Sequence, residues 1–240
     1  IAVTGNITNV DCFGNGTGAI DITVTGGQPG YTYLWNTGAT TQDIASLVTN
    51  TYSVTVQDQT GCQYFISFLV DQPDSALSFI PTVQNVICYG QNTGNIYMNV
   101  WGGTPPYTFV WSHDATLKTV LASNLKAGLY SVKVTDGLGC EKTITGIEVK
   151  EPPLLELAGV TATATTCFGK KDGKVSLNVI GGVAPYSLEF GGTQVFTGVF
   201  ELDTLKKEIY AWEVTDANGC KIPIDFEITS PPPLVVDVSL

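Results

Sequence analysis

Arginine is absent from the 240 residues, and histidine and methionine occur once each. Eleven lysines face 22 acidic residues, for a formal net charge of −11. That balance argues against nucleic acid as a partner, because phosphate contacts need clustered cations and base-edge readout leans on arginine. It also disfavours anionic membrane surfaces. No apolar run reaches about 18 residues, so no helical membrane insertion is expected. The opening stretch, IAVTGNITNV, has neither a basic leader region nor a long apolar core and does not read as a signal peptide. No window sustains an apolar period of about 3.6 residues, so almost no helix is expected. What remains is a chain of low charge, 14%, punctuated by 26 glycines and 12 prolines, with 43% hydrophobic content to build cores.

The dominant feature is an internal repeat. CFGNGTG at 12–18 returns as CYGQNTG at 88–94 and CFGKKDG at 167–173. Each is followed by an alternating run ending in Gly-Gly: AIDITVTGG, NIYMNVWGG and KVSLNVIGG. A period of two marks a half-buried strand, and the glycines mark its turn. Next come PGYTYLW, PPYTFVW and APYSLEF, a second strand opened by proline where a missing N–H is tolerated. Later, LVTNTYSVTVQDQTGC, LKAGLYSVKVTDGLGC and LKKEIYAWEVTDANGC each run an alternating strand into an Asp-x-x-Gly hairpin turn. A last strand leaves each second cysteine, and Pro223 places the one after Cys220 at a sheet edge or bulge.

Six or seven short strands per repeat, with frequent turn signals, predict an all-β chain of three tandem immunoglobulin-like β-sandwich modules. The Leu-to-Tyr spacing ahead of each hairpin matches the tyrosine corner of such sandwiches. The expected boundaries are 1–73, 74–152 and 153–232, with 233–240 opening a truncated further repeat.

Six cysteines allow 15 pairings. Identical folding of every unit favours one intra-module disulfide each: Cys12 with Cys62, Cys88 with Cys140, Cys167 with Cys220. The alternative of Cys62 with Cys88 and Cys140 with Cys167 would strand Cys12 and Cys220. Closing a loop of that size is worth about 4 kcal/mol on the chain-entropy account. Disulfides persist outside the cytosol, so an extracellular location is expected.

Chemistry finds little support. GKKDGKV at 169–175 is one residue short of a phosphate loop, carries Val175 where a hydroxyl would meet Mg²⁺, and precedes a strand. Zinc knuckles need cysteines two to four apart. His113 has no counterpart in the other repeats. No catalytic residue, resident metal or cofactor is therefore assigned. Calcium is the one cation considered: Asp71, Asp74, Glu148 and Glu151 stand near unit junctions, while Asp58, Asp136 and Asp216 recur at the hairpin turn, where an aspartate also caps its own turn. Ile96, Met98 and Val100 should point inward, which turns Tyr97 and Trp101 outward as candidates for stacking on sugar rings. Phe190 occupies the strand-tryptophan position of the third repeat, and Trp212 appears where the others have Val54 and Val132, a volume exchange across one core.

The co-occurring motifs, C-[FY]-G-x-x-x-G, Gly-Gly-x-x-Pro-Tyr with its close variants, and Tyr-x-[VW]-x-V-x-D-x-x-G-C, resemble the SprB-type repeat over essentially the whole chain. Departures are Gly30 between Pro29 and Tyr31, Glu208 at the turn position of Gly128, and the missing strand tryptophan of the third repeat. The resemblance implies a non-enzymatic segment of a large surface adhesin of Bacteroidota, exported by the type IX system and acting as a filament or stalk in gliding motility. It implies neighbouring repeats of the same chain as partners, with a surface polysaccharide or substratum beyond them. Ser75 and Thr204, in Asp-Ser-Ala and Asp-Thr-Leu, resemble the O-glycosylation signal of that group. The alternative function is a carbohydrate-binding array using Tyr97 and Trp101.

Overall fold

The computed structural model describes residues 1–236. Among them there is no helix, and the regular structure is strand throughout. The first repeat contributes β1 (Ala2–Thr8), β2 (Gly18–Thr25), β3 (Thr32–Trp35), β4 (Ile44–Leu47), β5 (Asn50–Gln57) and β6 (Gln63–Val70). The second contributes β7 (Ser78–Gln84), β8 (Gly94–Trp101), β9 (Thr108–Trp111), β10 (Leu121–Leu125), β11 (Gly128–Thr135) and β12 (Glu141–Val149). The third adds β13 (Glu156–Thr163), β14 (Gly173–Ile180), β15 (Tyr186–Glu189), β16 (Thr193–Phe196), β17 (Val199–Leu205), β18 (Glu208–Thr215) and β19 (Lys221–Ile228).

Each repeat forms two sheets. In the first the orders are β1-β2-β4 and β3-β5-β6. This is the distribution of an immunoglobulin-like sandwich that lacks one edge strand. The second repeat gives β10-β8-β7 and β12-β11-β9, and the third gives β13-β14-β17 and β16-β15-β18-β19. Pro223 falls on β19, an edge strand, where its lost donor costs no ladder bond.

Alternation sends apolar side chains inward. On β2, Ile20 and Ile22 are fully buried while Asp21 and Thr23 face solvent. The first core draws Val3, Ile20 and Ile22 from one sheet and Trp35, Val54 and Phe68 from the other. The third is built the same way, with Val175 and Leu177 opposing Leu188, Val214 and Phe226. Tryptophans 35 and 111 are buried, and each indole N–H finds a carbonyl at 2.9 Å, on Thr41 and Thr119. The tyrosine corner is present: Tyr52 donates to the Val48 carbonyl at 3.0 Å, and Tyr210 to that of Lys206 at 3.2 Å.

By contacts the chain divides into two compact units. One comprises Ile1–Thr82, Tyr97–Leu121 and Tyr130–Ile147; the other comprises Val83–Ile96, Ala122–Leu129 and the chain from Glu148. The division falls within the second repeat. Of the stretch expected to open a further repeat, residues 233–236 are in no strand, and Leu234, Val235 and Val236 are exposed. Residues 237–240 lie outside the described residues.

Candidate functional site

The cysteines sit on two kinds of turn, and each turn is specified by its neighbours. In the first kind, Asn15 N–H closes onto the Cys12 carbonyl at 2.9 Å, as Gln91 does onto Cys88 and Lys170 onto Cys167. The third residue of the turn is Gly14, at a φ of 80° that a side chain would resist. Four residues later stands Gly18, whose added Cβ would lie 2.6 Å from Val70 Cγ1 of the facing sheet and 2.9 Å from the Leu47 carbonyl. Glycine there lets the two sheets close. The Cys-x-Gly motif is thus a turn followed by a close-approach point, with no phosphate geometry in it.

The second cysteine follows the Asp-x-x-Gly hairpin. Asp58 Oδ1 accepts the backbone N–H of Thr60 at 2.9 Å, the Thr60 hydroxyl at 2.8 Å and the Cys62 N–H at 3.0 Å, while Oδ2 accepts the Gln28 N–H at 3.1 Å. Asp136 repeats this with Leu138, Cys140 and Thr104, and Asp216 with Asn218, Cys220 and Val183. All three carboxylates are buried and satisfied. The aspartate therefore caps its own turn, as expected, and also staples that turn to the Gly-Gly corner of the other sheet. A Cβ on Gly27 would stand 2.7 Å from Asp58 Oδ2, which explains the second glycine of the pair. The first glycine offers its carbonyl instead. Tyr31 donates to Gly26 at 2.7 Å, Tyr107 to Gly102 at 2.7 Å and Tyr186 to Gly181 at 2.6 Å. Gly-Gly, Pro-Tyr and Asp-x-x-Gly-Cys co-occur because they touch. For Asp58, the hydrogen bonds from Thr60 foremost, with that from Gln28, hold the carboxyl below the usual carboxylate range against a smaller opposing effect of burial.

The structure overturns the intra-module pairing. Cys12 bonds Cys140 with the Cα atoms 5.7 Å apart, Cys88 bonds Cys220 at 5.7 Å, and Cys62 and Cys167 are free and exposed. The first cysteine of a repeat bonds the second cysteine of the next. The physical reason lies in the ends of the sandwich. Val10 N–H donates to the Asp71 carbonyl at 2.8 Å and Asp71 N–H to Asn9 Oδ1 at 3.0 Å, which puts the Cys12 turn at the Asn50/Val70 end of β5 and β6. Cys62 lies beyond Gln57/Gln63, at the opposite end. Eight strand residues separate those ends, roughly 25 Å, whereas a disulfide tolerates a Cα separation of only about 7 Å. The alternative through Cys62–Cys88 and Cys140–Cys167 is likewise not formed.

Around each bridge the next repeat supplies further contacts. Cys140 Sγ rests 3.4 Å from the Asp11 carbonyl, and Asn218 Nδ2 donates to the Ile87 carbonyl at 2.9 Å. Phe13, exposed beside Cys12, shares a groove with Pro73 and Leu77; Tyr89, beside Cys88, shares one with Leu154 and Ile222.

The other candidate residues are dispersed. Tyr97 and Trp101 project from β8 with 47% and 48% exposure, while Ile96 and Met98 are buried as expected. Ser75 and Thr204 are exposed. Of the calcium candidates, Asp71 is engaged with its own Gln72 N–H, Glu151 accepts the Gly90 N–H at 2.7 Å, and Glu148 faces Lys150 at 3.4 Å. Asp74 is exposed. Among the described residues no three His, Cys, Asp or Glu side chains gather in metal-binding range. His113 stacks edge-on against Tyr130, with the ring centroids 5.2 Å apart. Phe190 and Trp212 meet with centroids 5.2 Å apart in the third core.

The SprB repeat family matches at residues 4–40, 80–116 and 159–187, each match running from within a first strand through its cysteine turn and the Gly-Gly corner. Each of the three repeats is similar to the SprB repeat over the segment matched. No curated protein matches it. Among solved structures, it is similar to extracellular domains 3-5 of Drosophila OTK, with 13% identity, a TM-score of 0.33, and 95% of this chain and 92% of that one covered. It is also similar to the FN1-FN3 domains of chicken CNTN1, with 10% identity, a TM-score of 0.27, and 95% and 98% covered. The three SprB-repeat matches and the two disulfides are those of an extracellular repeat segment.

Proposed function

We propose that this SprB-repeat segment is a load-bearing, non-enzymatic stalk of a cell-surface adhesin used in gliding motility. One observation carries the reading: both bridges join consecutive repeats. With both closed, the shortest covalent route along the chain follows residues 1–12, crosses to Cys140, returns to Cys88, crosses to Cys220 and leaves. Residues 13–87 and 141–219 lie off that route, so a force on the two ends cannot draw them out fully. Each junction transmits tension through sulfur as well as through peptide.

Single-molecule pulling tests this. In reductant the fully extended contour should grow by on the order of 500 Å, the length of the two protected segments. Equal contour lengths with and without reductant would overturn the mechanical reading.

A second reading, carbohydrate binding, is favoured by the exposure of Tyr97 and Trp101 on one face of β8. They stand four residues apart, roughly 13 Å, and would stack separate rings of an extended glycan. The aligned positions hold Asp21 and Thr25 in the first repeat and Ser176 and Ile180 in the third, so the surface occurs once. Glycan-array binding that vanishes in Trp101→Ala would establish it.

A further inference from the structure

The free thiols, Cys62 and Cys167, are not odd residues. Cys62 holds in the first repeat the place that Cys140 and Cys220 hold in the others, and Cys167 holds that of Cys12 and Cys88. Their backbones are set as in the bonded copies. Asp58 holds the Cys62 N–H at 3.0 Å, where Asp136 holds that of Cys140 at 2.9 Å and Asp216 that of Cys220 at 2.8 Å. Lys170 N–H closes the Cys167 turn at 3.2 Å, against 2.9 Å and 3.1 Å at Cys12 and Cys88. Beside Cys167, Phe168 is 60% exposed, at the position of Phe13 and Tyr89, which lie in the grooves of the closed junctions. Beside Cys62, exposed Tyr64 holds the position of Ile222, one wall of such a groove.

We infer that Cys62 and Cys167 are the two complementary halves of one further junction of the same kind, and that the partner of each is another copy of this repeat. Cys167 of one chain fits Cys62 of a second. The contact is head-to-tail and therefore open-ended, able to add repeats in register in both directions. The inference stands on the disulfide pattern and does not depend on the adhesin reading.

The bond forms by exchange with a small-molecule disulfide such as oxidised glutathione. The Cys167 thiolate attacks it, forming a mixed disulfide and releasing one glutathione thiolate; the Cys62 thiolate then attacks the protein sulfur and releases the second. Two protein thiols lose two protons and two electrons, and one glutathione disulfide becomes two thiols.

The test uses Cys62→Ser and Cys167→Ser variants of the 240-residue chain, alone and mixed, in a glutathione redox buffer, read by non-reducing electrophoresis and peptide mapping. Each variant alone should stay monomeric. The mixture should give a 1:1 covalent dimer carrying a Cys62–Cys167 peptide, in roughly tenfold excess over either homodimer, a ratio equivalent to about 1.4 kcal/mol of complementarity. The unsubstituted chain should give a reducible ladder of multimers with Cys12–Cys140 and Cys88–Cys220 intact. Homodimers as abundant as the mixed dimer, monomers merely capped by glutathione, a wild-type chain closed on itself, or scrambling of the internal bridges would each overturn it.

Discussion

Cys12 and Cys140 stand 128 residues apart along the chain, yet their Cα atoms are 5.7 Å apart. Cys88 and Cys220, separated by 132 residues, repeat the arrangement one unit further on. The two closed loops overlap, so residues 88–140 of the middle repeat belong to both.

Loss of the first bridge should be costly and indifferent to which end is removed. On the chain-entropy account a loop of this length is worth about 4–5 kcal/mol. Cys12→Ser and Cys140→Ser should each lower stability by that amount, and the double variant by no more, since both remove one bond. Urea unfolding under non-reducing conditions measures it; additive losses would contradict a shared bond.

Asp58 should make stability depend on acid. Its folded carboxyl lies below the ordinary range because the Thr60 hydroxyl and the backbone amides of Gln28, Cys62 and Thr60 donate to it. A depressed folded pKa contributes stability that is fully present above the unfolded value, about 4, and lost as pH falls through the folded value. The stability gap between wild type and Asp58→Asn should therefore be widest near pH 7 and narrow as pH drops below about 4. Melting temperatures across pH 2–7 decide it, and parallel curves for the two proteins would contradict the assignment.

Gly173→Ala should destabilise by about 1–3 kcal/mol through overpacking. Its Cβ would stand 2.5 Å from Ile228 Cγ2 of the facing sheet and 3.0 Å from the Leu205 carbonyl. Gly159→Ala is the control: nothing lies within 4 Å of the added carbon, and a change within about 0.5 kcal/mol is expected. Similar effects at both sites in chemical denaturation would refute the steric account.

Phe190 and Trp212 should be energetically coupled. Their centroids are 5.2 Å apart at an interplanar angle of 51°, a geometry worth about 0.5–1.5 kcal/mol beyond area burial. A double-mutant cycle through Phe190→Leu and Trp212→Val measures the coupling, and a value near zero would dispose of the volume exchange.

Much of the fold was legible because the sequence states each local rule three times. The alternation of Ile20 and Ile22 with Asp21 and Thr23 identifies a half-buried strand from period alone. Tyr52 and Tyr210 announce the corner by spacing, and the structure places their hydroxyls on the carbonyls of Val48 and Lys206 upstream. The aspartates were legible only by half. A turn cap is a local event, whereas the bond from Gln28 N–H to Asp58 joins two sheets across 30 residues.

Cysteine pairing was hidden for a specific reason. Translation by one repeat maps an intra-repeat set of bridges onto itself, and it does the same for a set offset by one repeat, so symmetry cannot choose between them. The direction of the chain chooses. Residues 36–43 carry the first repeat back along the sandwich without forming a strand, whereas in the third repeat the return includes β16, paired to β15. That uncounted return segment puts Cys62 at the end opposite Cys12.

By itself, the sequence determined the repeat, its all-strand character, the turns and the residues that specify them, since these follow from period, backbone geometry and contacts within a few positions. Only the tertiary structure decided which sulfur meets which, because a disulfide answers to distance across the sandwich, and that distance is set by the path of the whole chain.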